Sequence, residues 1–251
     1  MMVEIFPDGQ SLGAAAAAKA ASLIREAVQV RGEARILVAT GNSQLQFIGS
    51  LAETQGINWS AVTIFHLDEY AGIAADHPAS FRLWVKTRLV DRVHPRVVHY
   101  LRGDARNLQE EANRYAKLIE EAPIDIAFAG FGENGHIAFN DPPVADFSDP
   151  VSVKLVTLED ASRRQQVGEG HFPDLDSVPR QALTLTCPAI LRAQSWVCCV
   201  PELRKAKAVQ CALEGPVSTA CPASLIQKHP RAYLYLDKGS ASLLSNHVRN
   251  A

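Results

Sequence analysis

The run Ile124-Asp125-Ile126-Ala127-Phe128-Ala129 ends abruptly in Gly130-Phe131-Gly132-Glu133-Asn134-Gly135-His136-Ile137-Ala138-Phe139-Asn140-Asp141-Pro142. A short, apolar, β-prone run bounded by turn formers reads as a buried parallel strand, which needs helices over both its faces. The same succession of apolar run, polar turn and helical repeat occurs elsewhere. Residues 35–39 lead through Thr40-Gly41-Asn42-Ser43-Gln44 into a helical pattern at 45–54, and residues 61–67 deliver Asp68-Glu69-Tyr70. Helical repeats at 11–30, 81–91, 107–120, 159–168 and 202–213 alternate with further strands at 97–100, 151–157, 182–186, 196–200 and 231–236. The alternation predicts an α/β fold: a doubly wound, mostly parallel sheet with helices on both faces, Rossmann-like, with right-handed crossovers. At 251 residues the chain can build one substantial core, so a single domain over residues 1–251 is expected.

In open α/β sheets ligands bind beyond the carboxyl ends of the strands, which is where the polar turns fall. Gly130, Gly132 and Gly135 permit close approach of the backbone to an anion. His136 can serve as an acid or a base, and Glu133 or Asp141 lies close enough in sequence to orient it. Residues 40–44 form a turn of small hydroxyl and amide side chains at a helix N-terminus, where unpaired N–H groups can hold a phosphate. Asp68 and Glu69 alternate faces in an extended chain, so one lines the crevice while the other caps or pairs, and Asp68 is the reactive candidate. The plainer alternatives, an ordinary helix cap at 40–44 and a packed turn histidine at 136, stay open on the residues alone. The proline-rich and acidic residues 142–150 read as an irregular surface segment or lid.

With 25 basic and 27 acidic side chains the formal charge is −2, which gives no basic field for nucleic acid or an acidic membrane. No apolar segment approaches the roughly 18 residues of a membrane span. Cys187, Cys198, Cys199, Cys211 and Cys221 have no paired spacing and read as reduced, mostly buried thiols of a soluble, cytoplasmic protein, with no metal site among them.

Taken together in order, Thr40-Gly41-Asn42-Ser43, Leu67-Asp68-Glu69-Tyr70, His77-Pro78-Ala79-Ser80, the 132–142 loop, Val178-Pro179-Arg180-Gln181-Ala182-Leu183-Thr184 and Lys205 resemble the glucosamine-6-phosphate deaminase (isomerase) family, whose fold the 6-phosphogluconolactonases share. The resemblance spans almost the whole chain. It implies that Asp68 moves a proton between C2 and C1 of an open-chain amino sugar and that His136 opens the pyranose ring. Asp141 stands where the family usually has a glutamate, and Asn134 where many members have an aspartate flanking the histidine. Thr40, Gly41, Asn42 and Ser43 match the phosphate turn, although Asn42 and Gln44 replace its usual second glycine and proline. Lys205 matches the phosphate-binding lysine. The family's arginine has no clean counterpart: Gln166 falls near it, and Arg164, about one turn earlier, is the substitute. Glu69 and Gly132 complete the implied substrate-binding set. The implied partner is a phosphorylated amino sugar, with no nucleic acid or membrane partner and no metal or organic cofactor. The chain ends soon after its last strand, without the longer tail of the hexameric, allosteric members, so a monomer or small homo-oligomer is expected. A lactonase acting on a phosphorylated sugar lactone and a non-catalytic sugar-phosphate sensor are the rival readings.

Overall fold

The computed structural model describes residues 1–246, so residues 247–251 of the expected domain lie outside the described residues. The chain begins with β1 (Met2–Phe6), α1 (Gly9–Arg31), β2 (Ala34–Val38), α2 (Leu45–Glu53), β3 (Val62–His66), β4 (Asp68–Tyr70), α3 (Phe81–Val85), α4 (Asp91–Val93), β5 (Val97–His99) and α5 (Leu108–Glu120). It continues through β6 (Ile126–Ala129), β7 (Val153–Thr157), α6 (Asp160–Gly168), β8 (Gln181–Leu185), α7 (Cys187–Leu191), β9 (Ser195–Val200), α8 (Ala206–Glu214) and β10 (Ala232–Asp237).

Seven strands pair in parallel in the order β1-β10-β9-β6-β2-β3-β5. Successive side chains leave a strand on opposite faces, and here both faces are covered. Ile36, Ile64, Phe128 and Val197 enter the core shared with α1 and α2. Their neighbours Leu37, Phe65, Ala127 and Trp196 enter the core shared with α5, α7 and α8. This two-sided burial explains why the strands read as continuous apolar runs.

The alanines of α1 let it lie close to the sheet, with Ala16, Ala17, Ala20 and Ala21 all buried. At Gly13 a Cβ would stand 2.7 Å from the backbone carbon of Gln46, so this contact between α1 and α2 requires glycine. Asp8 caps the helix by accepting from the Ser11 N–H at 2.8 Å, and Gly32 ends it at φ 77°.

The order reverses between β2 and β6. From β2 the chain winds outward to β3 and β5, whereas β6 is followed outward by β9, β10 and β1. The loops that leave β2 and β6 therefore diverge and open a crevice at the carboxyl edge of the sheet.

Two features differ from the sequence reading. Strands 151–157 and 182–186 do not extend the main sheet. As β7 and β8 they join β4 in a separate antiparallel sheet ordered β4-β8-β7. The chain leaves β3 at Leu67, whose carbonyl accepts from Leu185 N–H at 2.8 Å, and this bond ties the side sheet to the edge of the main one. The side sheet covers its own small core of Tyr70, Phe81, Phe139, Phe172 and Val178. The second difference is β1, an edge strand absent from the sequence reading, whose five half-buried residues give a weak apolar signal.

Candidate active site

The crevice lies beyond β2, β3 and β6 and is lined by residues 40–44, Asp68, Gly130–Gly132, His136, Ala138, Phe139, Gln165, Gln166, Glu169 and Lys205. Of the residues singled out from the sequence, Thr40, Gly41, Asn42, Ser43, Asp68, Gly132, His136 and Lys205 meet there.

At one end the turn after β2 folds into a short 3-10 segment, Asn42–Gln44, which runs directly into α2. Gly41 at φ 98° supplies the conformation this turn needs. Lys205, at the start of α8, is only 3% exposed, and its ammonium takes no hydrogen-bond partner among the described residues. Burial lowers its pKa, opposed by the charge of Glu169. A buried, unpaired cation beside a helix N-terminus favours an anion. Glu169 shares this wall and accepts from Gln165 Nε2 at 2.8 Å and pairs with Arg204 Nη1 at 3.0 Å. Burial works against its ionisation, but His171 Nε2 at 3.5 Å, the bond from Gln165 and the charges of Arg204 and Lys205 hold its pKa at about 2.

At the other end Asp68 is 7% exposed, and its carboxylate takes no hydrogen bond from the described residues. Burial, and secondarily the charge of Glu69, push its pKa well above the usual carboxylate range. Its backbone is held from below. His66 Nε2 accepts from Leu101 N–H at 2.9 Å, so Nδ1 carries the ring hydrogen and donates to Asp68 O at 2.9 Å. Burial drives the His66 pKa down to about 3 and keeps this support neutral.

Glu69 points away from the crevice. It accepts from Ser80 Oγ at 2.7 Å and from the Arg82 and Phe81 N–H groups at 2.9 and 3.1 Å, and so holds the first turn of α3. Its burial outweighs these bonds and raises its pKa.

His136 lies flat on Gly132. A Cβ there would sit 2.0 Å from the imidazole, so any side chain at 132 would displace the ring. Asn134 Oδ1 accepts from the His136 backbone N–H at 3.0 Å, which fixes which end of the amide is oxygen. The same oxygen lies 2.7 Å from His136 Nδ1, so Nδ1 carries the hydrogen and Nε2 is left bare. Asn134 Nδ2 donates to Asp141 Oδ1 at 2.8 Å, and that oxygen lies 3.2 Å from His136 Nδ1. Despite the shorter side chain at 141, the carboxylate reaches the ring, although Asn134 is the nearer partner. Burial would raise the Asp141 pKa, but bonds from His136, Ser162 and Asn134 hold it below the usual value. The loop then turns through Ala138 at φ 51°, a strained conformation for alanine, to close the Ile137–Asn140 bridge.

Arg164 is not brought to this crevice. Its side chain is 69% exposed and faces Asp160 at 3.9 Å, because the phase of α6 turns 162, 165 and 166 inward instead. Arg163, buried on the same helix, donates to the carbonyls of Leu175 and Val178 and anchors the following loop. None of residues 142–150 lines the crevice, whose cover comes from α6. Sequence reasoning passed over Ser162, Gln165 and Glu169 as site residues: they lie in a polar helical stretch that reads as solvated, and no local signal marks them. Among the described residues no group of His, Cys, Asp and Glu forms a metal-binding set, and no helix is long and apolar enough to cross a membrane. The thiols of Cys187, Cys198 and Cys199 are buried, which raises their pKa values, and they stand outside the crevice.

Residues 7–234 match the family described as glucosamine-6-phosphate isomerases/6-phosphogluconolactonase. A glucosamine-6-phosphate deaminase of Rhodopirellula baltica is 34% identical over 248 residues, covering 96% of this chain and 95% of its own length. One from Exiguobacterium sibiricum is 32% identical over 212 residues, covering 84% and 82%. Among solved structures, a monomeric glucosamine-6-phosphate deaminase superposes with a TM-score of 0.88 at 30% identity over 97% of this chain and 100% of its own. A 6-phosphogluconolactonase from Shewanella baltica superposes with a TM-score of 0.78 at 21% identity over 94% and 97%, a likeness of fold.

Proposed function

The chain belongs to the glucosamine-6-phosphate isomerase/6-phosphogluconolactonase family, and on that premise we propose that it converts glucosamine 6-phosphate and water to fructose 6-phosphate and ammonia. The observation that carries the reading is a pair of unsatisfied bases in one crevice: the Asp68 carboxylate, which has no donor among the described residues, and the bare Nε2 of His136.

In this reading the phosphate sits on the turn Thr40-Gly41-Asn42-Ser43 and beside Lys205, and its binding energy places the sugar. His136 Nε2 takes the proton of the C1 hydroxyl and delivers it to O5, which opens the ring. The Nδ1–H bond to Asn134 and the nearby Asp141 carboxylate support the transient imidazolium. Asp68 then removes the hydrogen at C2 while O1 gains a proton from the substrate's own ammonium, giving a neutral enolamine. Return of the proton from Asp68 to C1 converts it to an iminium at C2, water adds there, and collapse of the carbinolamine expels ammonia and leaves the C2 ketone. A carboxylate whose pKa is raised by burial suits a step that both takes and returns a proton, because neither state is deeply favoured. The cover provided by α6 limits access of bulk water to the enolamine.

The test is to follow ammonia and fructose 6-phosphate from glucosamine 6-phosphate, beside hydrolysis of a 6-phosphogluconolactone. Equimolar release of both products supports the reading. Lactone hydrolysis that outpaces ammonia release overturns it.

A further inference from the structure

Asp141 presents one oxygen to everything around it. Its Oδ1 accepts from Ser162 Oγ at 2.5 Å and from Asn134 Nδ2 at 2.8 Å, and it lies 3.2 Å from His136 Nδ1, whereas the buried Oδ2 has no partner among the described residues. Ser162 supplies the shortest of these contacts, and its hydroxyl also stands 3.3 Å from His136 Nδ1. It is 2% exposed and comes from α6, the helix that carries Gln165 and Gln166 into the crevice one turn later. Behind it lies a second cavity of about 480 Å³, bounded by Glu133, Asn134, Ser162, Arg164 and Arg204.

We propose that Ser162 is a positioning residue for His136: it pins Asp141 Oδ1, which orients the Asn134 amide so that the imidazole hydrogen stays on Nδ1 and Nε2 stays bare. The inference rests on the reading of His136 as the ring-opening group and extends it to the helix that covers the site. The argument follows from the order of the bonds. Asn134 has two ends. Its oxygen takes the His136 backbone N–H and faces Nδ1 while its nitrogen donates to Asp141, and since among the described residues the second oxygen of Asp141 has no partner, the bonds at Oδ1 set the orientation of that carboxylate. With the Ser162 hydroxyl gone, water from the cavity behind can compete for Asp141 Oδ1, the Asn134 amide can turn, and the ring hydrogen can move to Nε2. Ser162 does not touch the reacting atoms.

An isosteric pair isolates the hydroxyl. Ser162→Val is expected to lower kcat on glucosamine 6-phosphate about 10-fold with KM changed by less than about twofold, while Ser162→Thr recovers kcat to within about threefold of wild type. The second arm needs no turnover. In ¹⁵N spectra of the intact protein, with the His136 signals assigned by their loss in His136→Gln, wild type shows a protonated Nδ1 and a bare Nε2, and Ser162→Val shows the hydrogen shared between them. Ser162→Ala is measured the same way if the valine variant does not fold. Equal kcat in the valine and threonine variants, or unchanged His136 ring signals on loss of the hydroxyl, overturns the proposal. If wild type fails to act on glucosamine 6-phosphate, the proposed reaction falls and the ring-nitrogen comparison alone decides the role of Ser162.

Discussion

Asp68 lines the crevice and Asp141 stands behind the His136 loop, both buried, and their surroundings drive them in opposite directions. Asp68, at the start of β4, takes no hydrogen bond from the described residues, and its pKa rises. Asp141, at the end of the loop after β6, gathers donors from Asn134 and Ser162 and lies beside His136, and its pKa falls. Burial alone does not decide a carboxylate's behaviour; the donors within reach of its oxygens do. On the proposed reading, Asp68 is left to exchange a proton with a ligand, and Asp141, held ionised, keeps a neighbour in place.

The contrast breaks most visibly in turnover and stability together. Asp68→Asn is expected to lower kcat about 10³-fold while raising Tm, because it removes a buried carboxylate that none of the described residues satisfies. For a chain of this size each kcal/mol gained is worth roughly 2–4 °C in a melting experiment. Asp141→Asn is expected to lower kcat about 10²-fold and to lower Tm, since bonds to a charged acceptor contribute about 2 kcal/mol. If both variants melt on the same side of wild type, the contrast fails.

The pH dependence sharpens it. Asp68 has a raised folded pKa, so its contribution to stability is full below the unfolded value and is lost as pH rises through the folded one. Asp141 has a depressed folded pKa, so its contribution is full above the unfolded value and is lost as pH falls through the folded one. The Tm advantage of Asp68→Asn therefore grows with pH, and the deficit of Asp141→Asn shrinks toward acid. On the reaction, kcat/KM is expected to fall toward acid with a midpoint above the ordinary carboxylate value of about 4, set by Asp68. Glu69→Gln removes the neighbouring charge and is expected to move that midpoint toward acid. A midpoint at or below the ordinary value would refute the assignment. The smallest effect belongs to Arg164→Ala. An exposed arginine paired only with Asp160 at 3.9 Å should leave both kcat and KM within about twofold of wild type in steady-state assays.

Edge strand β1 apart, the strands of the main sheet and the turns at their carboxyl ends were legible because their signals are local. An apolar run such as 124–129 reports burial on both faces, and a glycine turn after it reports where the chain leaves the sheet. Asp68, His136 and Lys205 stand out for the same reason, each at the end of a strand or the start of a helix. Local pattern did not reveal that β4, β7 and β8 form a sheet of their own, because strand pairing depends on partners far along the chain.

By itself, then, the sequence determined the elements, their order and the edge at which chemistry can occur, since these depend on residues within a few positions of one another. Tertiary structure alone decided which groups come to stand beside those residues. Ser162 reaches Asp141 across 21 positions, Arg204 comes to Glu133 across 71, and the phase of α6 turns Arg164 outward while sending Gln165 and Gln166 in. Hydrogen bonds of that reach are fixed only when the helices have docked, and they are what separates the two aspartates.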